Sequence, residues 1–90
     1  MNKVYVISFE TLSDNVYDSG VAYVFDTLEK AKIMLEQIKQ DCIYSCDFTA
    51  EDFNVDSLYD LVHDLVTEDG FIIDFYDDYT KYIIEEMEVQ

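Results

Sequence analysis

The sequence DTLEKAKIMLEQIKQDC, residues 26–42, has an amphipathic pattern from which the rest of the fold can be worked out. Its apolar side chains recur at steps of three and four, which is the spacing of one face of an α-helix. Asp26 and Glu29 have the spacing of a capping box, with Asp in the capping position. We therefore predict a helix over about 27–41 that turns one apolar stripe toward the core. The stripe consists of Leu28, Ala31, Leu35, Ile38 and Cys42.

The residues before this helix have the pattern of a β-hairpin. Residues 3–9, KVYVISF, alternate and are β-branched or aromatic, which predicts a strand. Residues 21–25, VAYVF, predict the second strand of the hairpin. The connection over 10–20 is polar and ends in Asp-Ser-Gly at 18–20, which is typical of a turn.

Residues after the first helix predict a short turn and then a second long helix. Thr49 is placed to cap a single helical turn. The second helix is predicted over about 57–68, and Gly70 stands where helices often end in a left-handed cap. Its apolar residues match the helical template: Leu58, Leu61, Val62, Leu65 and Val66.

The C-terminal part predicts a second hairpin. Residues 71–76, FIIDFY, are typical of a strand, and Asp77 and Asp78 of a turn. Residues 80–89 fit either a helix or a strand that pairs back on 71–76, and we favour the strand because β-branched and aromatic residues open the segment. The expected fold is α+β: a single small domain over 1–90, with an antiparallel sheet of two hairpins, two helices on one face and the order ββααββ.

The charge of the chain narrows the classes of function. Its 90 residues hold 21 Asp and Glu against 5 Lys and no Arg, for a formal net charge of −16. Such a chain cannot neutralise a row of phosphates, so conventional nucleic-acid binding is excluded, and binding to an anionic membrane surface is disfavoured. No apolar run approaches the ~20 residues of a membrane span, and the N-terminus lacks a signal-peptide pattern. We expect a cytoplasmic protein.

The sequence holds few groups suited to catalysis or metal binding. His63 is the single histidine, no Ser or Cys stands in a nucleophile motif, and two glycines cannot form a phosphate loop. Cys42 and Cys46 are spaced C-x₃-C, but no second pair completes a zinc site, and an ordered calcium loop is absent. We expect no enzyme, no cofactor and no metal. The alternative from another class is a small enzyme or adaptor that uses His63 or Cys46.

The acidic residues are the informative pattern. In the predicted second helix four acids recur at steps of four, so successive carboxylates would rise by about 6 Å. Like charges at this spacing destabilise a helix by a few tenths of a kcal/mol. Selection for a stable fold alone would therefore not favour such a row. Such a row presents acceptors to Lys and Arg side chains that hold phosphates. The predicted partner-binding residues are the row Asp56, Asp60, Asp64 and Glu68, extended by Asp69, Asp74, Asp77 and Asp78.

An Arg-free, acidic chain with the row Asp56, Asp60, Asp64 and Glu68 resembles the nucleic-acid-mimicking inhibitors encoded by bacteriophages, such as the anti-CRISPR proteins and the inhibitor of uracil-DNA glycosylase. The resemblance implies an inhibitor that occupies the basic groove of a nuclease or CRISPR-type effector in the bacterial host cytoplasm and excludes DNA or RNA. An immunity-type protein that neutralises a toxin nuclease has the same surface chemistry and remains an alternative. The expected partner is a basic nucleic-acid-handling protein or complex, without direct binding to nucleic acid or membrane.

Overall fold

The structure is a computed structural model that describes residues 2–66 and 69–89. In this part of the chain one α-helix accompanies a five-stranded antiparallel sheet, whose strands are ordered β2-β1-β5-β4-β3. Two single 3₁₀ turns, Ala50–Phe53 and Leu58–Leu61, lie between the helix and the third strand. The elements are β1 (Asn2–Ser13), β2 (Val16–Phe25), α1 (Leu28–Tyr44), β3 (Val62–Asp64), β4 (Asp69–Phe75) and β5 (Asp78–Val89).

The predicted first helix is confirmed. The cap is Thr27 rather than Asp26, because the Thr27 hydroxyl oxygen accepts a hydrogen bond from the Lys30 N–H at 3.2 Å. Ala31 and Ile38 are buried, and the rest of the predicted stripe is half-buried against the same core. The spacing of apolar residues therefore predicted correctly which face of α1 packs on the sheet.

The first hairpin is longer than predicted. Its turn lies at Asp14 and Asn15, whose φ angles of 52° and 66° are in the left-handed region that Asp and Asn tolerate better than most residues. The expected turn at 18–20 is wrong, because these residues belong to β2, where Ser19 pairs with Glu10 of β1. Residues 10–20 are mostly strand.

The predicted second helix over 57–68 is wrong, and with it the ββααββ order and the two-helix α+β layout. Asp60 accepts a hydrogen bond from the Ser57 N–H at 3.3 Å, which closes a single 3₁₀ turn at Leu58–Leu61. Val62 then enters β3 and pairs with Ile73 of β4, where a β-branched side chain packs well. Burial against the sheet thus outweighed the helical periodicity of this segment.

Gly70 does not cap a helix. It lies in β4, where a Cβ atom would collide with the backbone carbonyl oxygen of Tyr82 in β5. The close approach of β4 and β5 at this position therefore favours a residue without a Cβ atom.

The C-terminal hairpin is confirmed. The strand over 80–89 is part of β5 and pairs back on β4, as Phe71 opposite Tyr82 shows. β5 also pairs with β1 and joins the two hairpins into one sheet. The helix packs on one face of that sheet around the core residues Ile7, Ala31, Ile38, Phe53, Leu61, Phe71, Ile73 and Ile84.

Both hairpins turn at the end of the sheet where α1 finishes. The Asp14 N–H donates to Asp78 Oδ1 at 3.3 Å and links the two hairpin turns. Cys42 and Ser45, at the end of α1, line the same cleft of about 410 Å³ as these two aspartates. We name the β1–β2 turn, the β4–β5 turn, the end of α1 and segment 45–57 together the turn end.

Candidate functional site

Aromatic side chains hold segment 45–57 against the β4–β5 hairpin. The Phe53 side chain is 8% exposed, and its ring centre lies 5.7 Å from that of Phe75 and 5.4 Å from that of Tyr76. Phe48 lies at 5.2 Å from Phe53 and 5.5 Å from Phe75. The Tyr76 hydroxyl donates to the Phe53 carbonyl oxygen at 3.0 Å. These contacts fix an irregular segment on the end of the sheet.

The β4–β5 turn holds Tyr76 in an uncommon backbone conformation. Its φ of 68° lies in the left-handed region, which costs an aromatic residue about 1–3 kcal/mol. The Asp74 carboxylate offsets part of this cost by accepting the Tyr76 N–H at 2.9 Å, and the contacts with Phe53 offset more. The tyrosine remains 67% exposed, with the exposed Asp77 beside it.

The predicted turn after Thr49 is confirmed and adds two carboxylates to the turn end. Asp52 accepts the Thr49 N–H at 2.8 Å, so the 3₁₀ turn Ala50–Phe53 begins with a hydrogen-bonded cap. Asn54, at a φ of 57°, ends it. Glu51 and Asp52 are both exposed to solvent.

Two groups of acids differ in their contacts with lysine side chains. Five acids of the described residues lie within 4.0 Å of a lysine ammonium, and we call them the paired acids: Asp26, Glu36, Asp64, Asp69 and Glu86. The acids of the turn end have no such ion pair within the described part of the chain. We call them the turn-end acids: Asp14, Asp47, Glu51, Asp52, Asp56, Asp74, Asp77 and Asp78. Seven other acids of residues 2–66 and 69–89 belong to neither group: Glu10, Asp18, Glu29, Asp41, Asp60, Glu85 and Glu88.

The structure separates the predicted row of carboxylates. Asp56 lies in a loop, Asp60 in the second 3₁₀ turn and Asp64 in β3, so they share no helix. The regular pitch of about 6 Å, which requires a helix, is therefore wrong. Glu68 lies outside the described residues.

Two of the predicted partner-binding residues are already engaged within the chain. Asp64 lies 3.0 Å from the Lys39 ammonium, and Asp69 lies 3.9 Å from that of Lys32. Burial acts to lower the pKa of Lys39, but the hydrogen bond and charge of Asp64, with help from Glu36, raise its pKa on balance. These contacts join α1 to β3 and β4.

Three predicted residues, Asp74, Asp77 and Asp78, do lie together at the β4–β5 turn. Sequence reasoning missed Asp14 and Asp47, which line the cleft beside Asp78. The Asp14-Asn15 pair was a usable turn signal, whereas nothing local to Asp47 marks it. Its place depends on how α1 ends against the sheet.

Exposed aromatic side chains accompany the turn-end acids. Tyr44, at the last position of α1, is 94% exposed, and Phe48 and Tyr76 are exposed as well. Aromatic residues are enriched in interfaces, because they bury a large area at low entropic cost. Their rings also attract Lys and Arg cations through their faces. The turn end therefore combines two means of binding a basic surface.

The cysteines and the histidine lie in different settings. Burial, followed by the nearby Asp41 and Cys46, raises the pKa of the Cys42 thiol, which disfavours the reactive thiolate. His63 is exposed in β3. Across residues 2–66 and 69–89, no three His, Cys, Asp or Glu side chains are grouped as metal ligands. The absence of enzymatic activity stays a prediction.

A second polar cluster lies on the sheet face opposite α1. Glu10 Oε1 accepts hydrogen bonds from the Tyr17 hydroxyl at 3.0 Å and the Tyr79 hydroxyl at 3.1 Å. The bond to Glu10 raises the pKa of Tyr17, while burial and then the same carboxylate raise the pKa of Tyr79. This cluster links three strands and is satisfied internally.

Comparison of the chain with protein-family models, with curated proteins and with solved structures found no match. Within the ranges 2–66 and 69–89, no helix combines the length and apolarity required to cross a membrane.

Proposed function

We propose that the protein is an acidic inhibitor that binds the basic nucleic-acid-binding groove of a nuclease or CRISPR-type effector and blocks access of DNA or RNA. The observation that carries the proposal is the turn end, where eight acids that have no lysine partner within residues 2–66 and 69–89 accompany exposed aromatic rings. The chain has no Arg and a net charge of −16, so its field attracts cations over a long range.

The turn-end acids have no lysine partner in the described part of the chain, which favours them as ligands for a basic partner. A Lys or Arg of the partner can bind Asp77 or Glu51 without displacing a lysine of this chain, whereas it would compete with Lys39 at Asp64. Charge-assisted hydrogen bonds to carboxylates are among the stronger polar contacts, and groups that hold phosphates are built to make them.

The fixed backbone of the turn end supports the same function. Contacts between Phe53 and Tyr76 hold the 3₁₀ turn Ala50–Phe53 against the β4–β5 turn in the free protein. This lowers the entropic cost of ordering these two turns when a partner binds. The mimicry that we propose uses a cluster of carboxylates on turns instead of a regular row on a helix. An immunity-type inhibitor of a toxin nuclease would use the same acids, and the identity of the partner separates the two.

The test is capture of the partner from bacterial lysate on the immobilised protein. A second bait with Glu51→Lys and Asp77→Lys serves as control, because the side chains of both acids are exposed and form no hydrogen bond or ion pair within the described residues. We expect the native bait alone to retain a nucleic-acid-handling enzyme that added DNA or RNA releases. Retention of the same proteins on both baits, or retention unaffected by saturating nucleic acid, would contradict the proposal.

A further inference from the structure

The two edges of the sheet differ in how they are protected. β3, at one edge, has three residues and carries the ion-paired Asp64. β2, at the other edge, has ten residues, most of them exposed. An edge strand presents unpaired N–H and C=O groups, and natural proteins protect long edges with Lys, Pro or covering segments.

β2 carries none of these protecting residues. Its sequence, VYDSGVAYVF, contains no Lys and no Pro, and Asp18 is its single charge. One irregularity, an extra residue at Ala22 opposite Ile7 and Ser8 of β1, is a bulge of the kind that also protects edges, but it leaves residues 16–21 regular. Large apolar side chains are exposed along it: Val16, Tyr17, Val21, Tyr23 and Val24.

We propose that β2 pairs in an antiparallel arrangement with β2 of a second copy of this chain, across a two-fold axis, so that the two sheets become continuous. Like-charged copies repel, so they can approach only where charge is sparse, and β2 is the long element with the fewest charges. The backbone hydrogen bonds of the edge supply the attraction, as in strand addition generally.

The register with Ser19 on the two-fold axis fits the side chains best. In this register the Ser19 N–H exchanges its bond to Asp18 Oδ1, at 3.0 Å in the single chain, for a bond to the Ser19 carbonyl oxygen of the second copy. The same register places Tyr17 opposite Val21 of the second copy, and aromatic residues pair favourably with β-branched ones across strands. It places Asp18 opposite Gly20, so the two Asp18 carboxylates do not face each other.

This surface is independent of the turn end, and salt distinguishes the two. Added salt screens the repulsion between copies and should strengthen the dimer. The same salt screens the attraction between the turn-end acids and a basic partner, so it should weaken that complex.

The experiment measures molecular mass by light scattering or sedimentation from about 5 μM to about 500 μM protein, because dimerisation is concentration-dependent. We expect a reversible monomer–dimer equilibrium that shifts toward the dimer between about 50 mM and about 500 mM NaCl. Val21→Lys should raise the dissociation constant about tenfold or more, since a lysine protects the edge. Ile33→Lys on α1 is the matched control, because Ile33 is 67% exposed and Val21 62%.

Amide hydrogen exchange gives a readout that needs no variant. Exchange in β2 should slow as the protein concentration rises, whereas exchange in β3 should stay constant. A monomer at every concentration and salt would overturn the proposal. So would a dimer that tolerates Val21→Lys, or one that Ile33→Lys weakens equally.

Discussion

The turn end and the lysine-bearing part of the molecule differ in what their Asp and Glu side chains contact. Around α1 and the outer ends of β1 and β5, lysines neutralise Asp26, Glu36, Asp64, Asp69 and Glu86. At the turn end no lysine reaches the acids within the described residues, and their contacts are hydrogen bonds from backbone N–H groups, as at Asp52, Asp74 and Asp78.

This difference in contacts shows that net charge alone does not locate a binding site in this protein. Exposed ion pairs contribute little to stability, but they reduce the field that a partner meets. Backbone N–H donors orient a carboxylate and leave its formal charge in place. Of these two groups, the turn-end acids are therefore better able to attract a basic partner.

The largest expected effect comes from removing the aromatic anchor of the turn end. Phe53→Ala should lower the free energy of unfolding by about 3–5 kcal/mol, because a buried ring is lost with its contacts to Phe48, Phe75 and Tyr76. Urea unfolding measures the loss, and limited proteolysis should show earlier cleavage in 45–57. Phe48→Ala, at an exposed ring, should cost clearly less, and equal costs would contradict the anchoring role.

Charge reversal should distinguish the two groups of acids in binding. Glu51→Lys with Asp77→Lys should weaken binding to the captured partner about 100-fold, equivalent to ~2.7 kcal/mol, because attraction becomes repulsion. Asp26→Lys with Glu86→Lys changes the net charge equally at paired acids and should weaken it about threefold or less. Isothermal titration at fixed salt provides both constants. Equally weak binding by the two double variants would show that binding depends on the total charge of the protein and not on the turn-end acids.

Single reversals should distinguish the groups in stability, with a smaller effect. Asp64→Lys should lower the free energy of unfolding by about 1 kcal/mol, because it removes the ion pair with Lys39 and places two ammonium groups together. Asp77→Lys should leave stability unchanged or slightly higher, because it relieves repulsion among unpaired acids. The predicted charge row on a helix would have given a gain at Asp64, so stabilisation by Asp64→Lys would contradict the observed pairing.

The smallest effect concerns alkaline pH and the Glu10 cluster. The folded state raises the pKa of Tyr17 and Tyr79 above the ordinary value of 10.0. Above about pH 10 the unfolded chain loses these protons first, so their contribution is present below that pH and is lost as pH rises further. Thermal melting at about pH 8 and about pH 10.5 should show a smaller alkaline loss for Tyr17→Phe with Tyr79→Phe than for the native chain. An identical loss would show that the shared carboxylate has no such role.

Local patterns in the sequence determined much of this protein. The apolar stripe of α1, the strand cores at 3–9, 21–25 and 71–76, and the strand over 80–89 were predictable, because each depends on periodicity or composition within one segment. The strong acidity of residues 40–90 and the acids of the β4–β5 turn were also visible in the sequence.

Tertiary structure alone decided the conformation of residues 57–66 and the long-range contacts of the acids. Leu58, Leu61 and Val62 suit a helix by spacing, but the open edge of β4 offered Val62 a place opposite Ile73. Asp26 and Glu36 pair with lysines four and three positions away, which is a local pattern in and just before α1. Other contacts join residues distant in the chain: Lys39 and Asp64 are 25 positions apart, and Asp14 and Asp78 are 64 apart. The surroundings of these distant carboxylates are set by whichever elements the core brings next to them, and no local pattern contains that information.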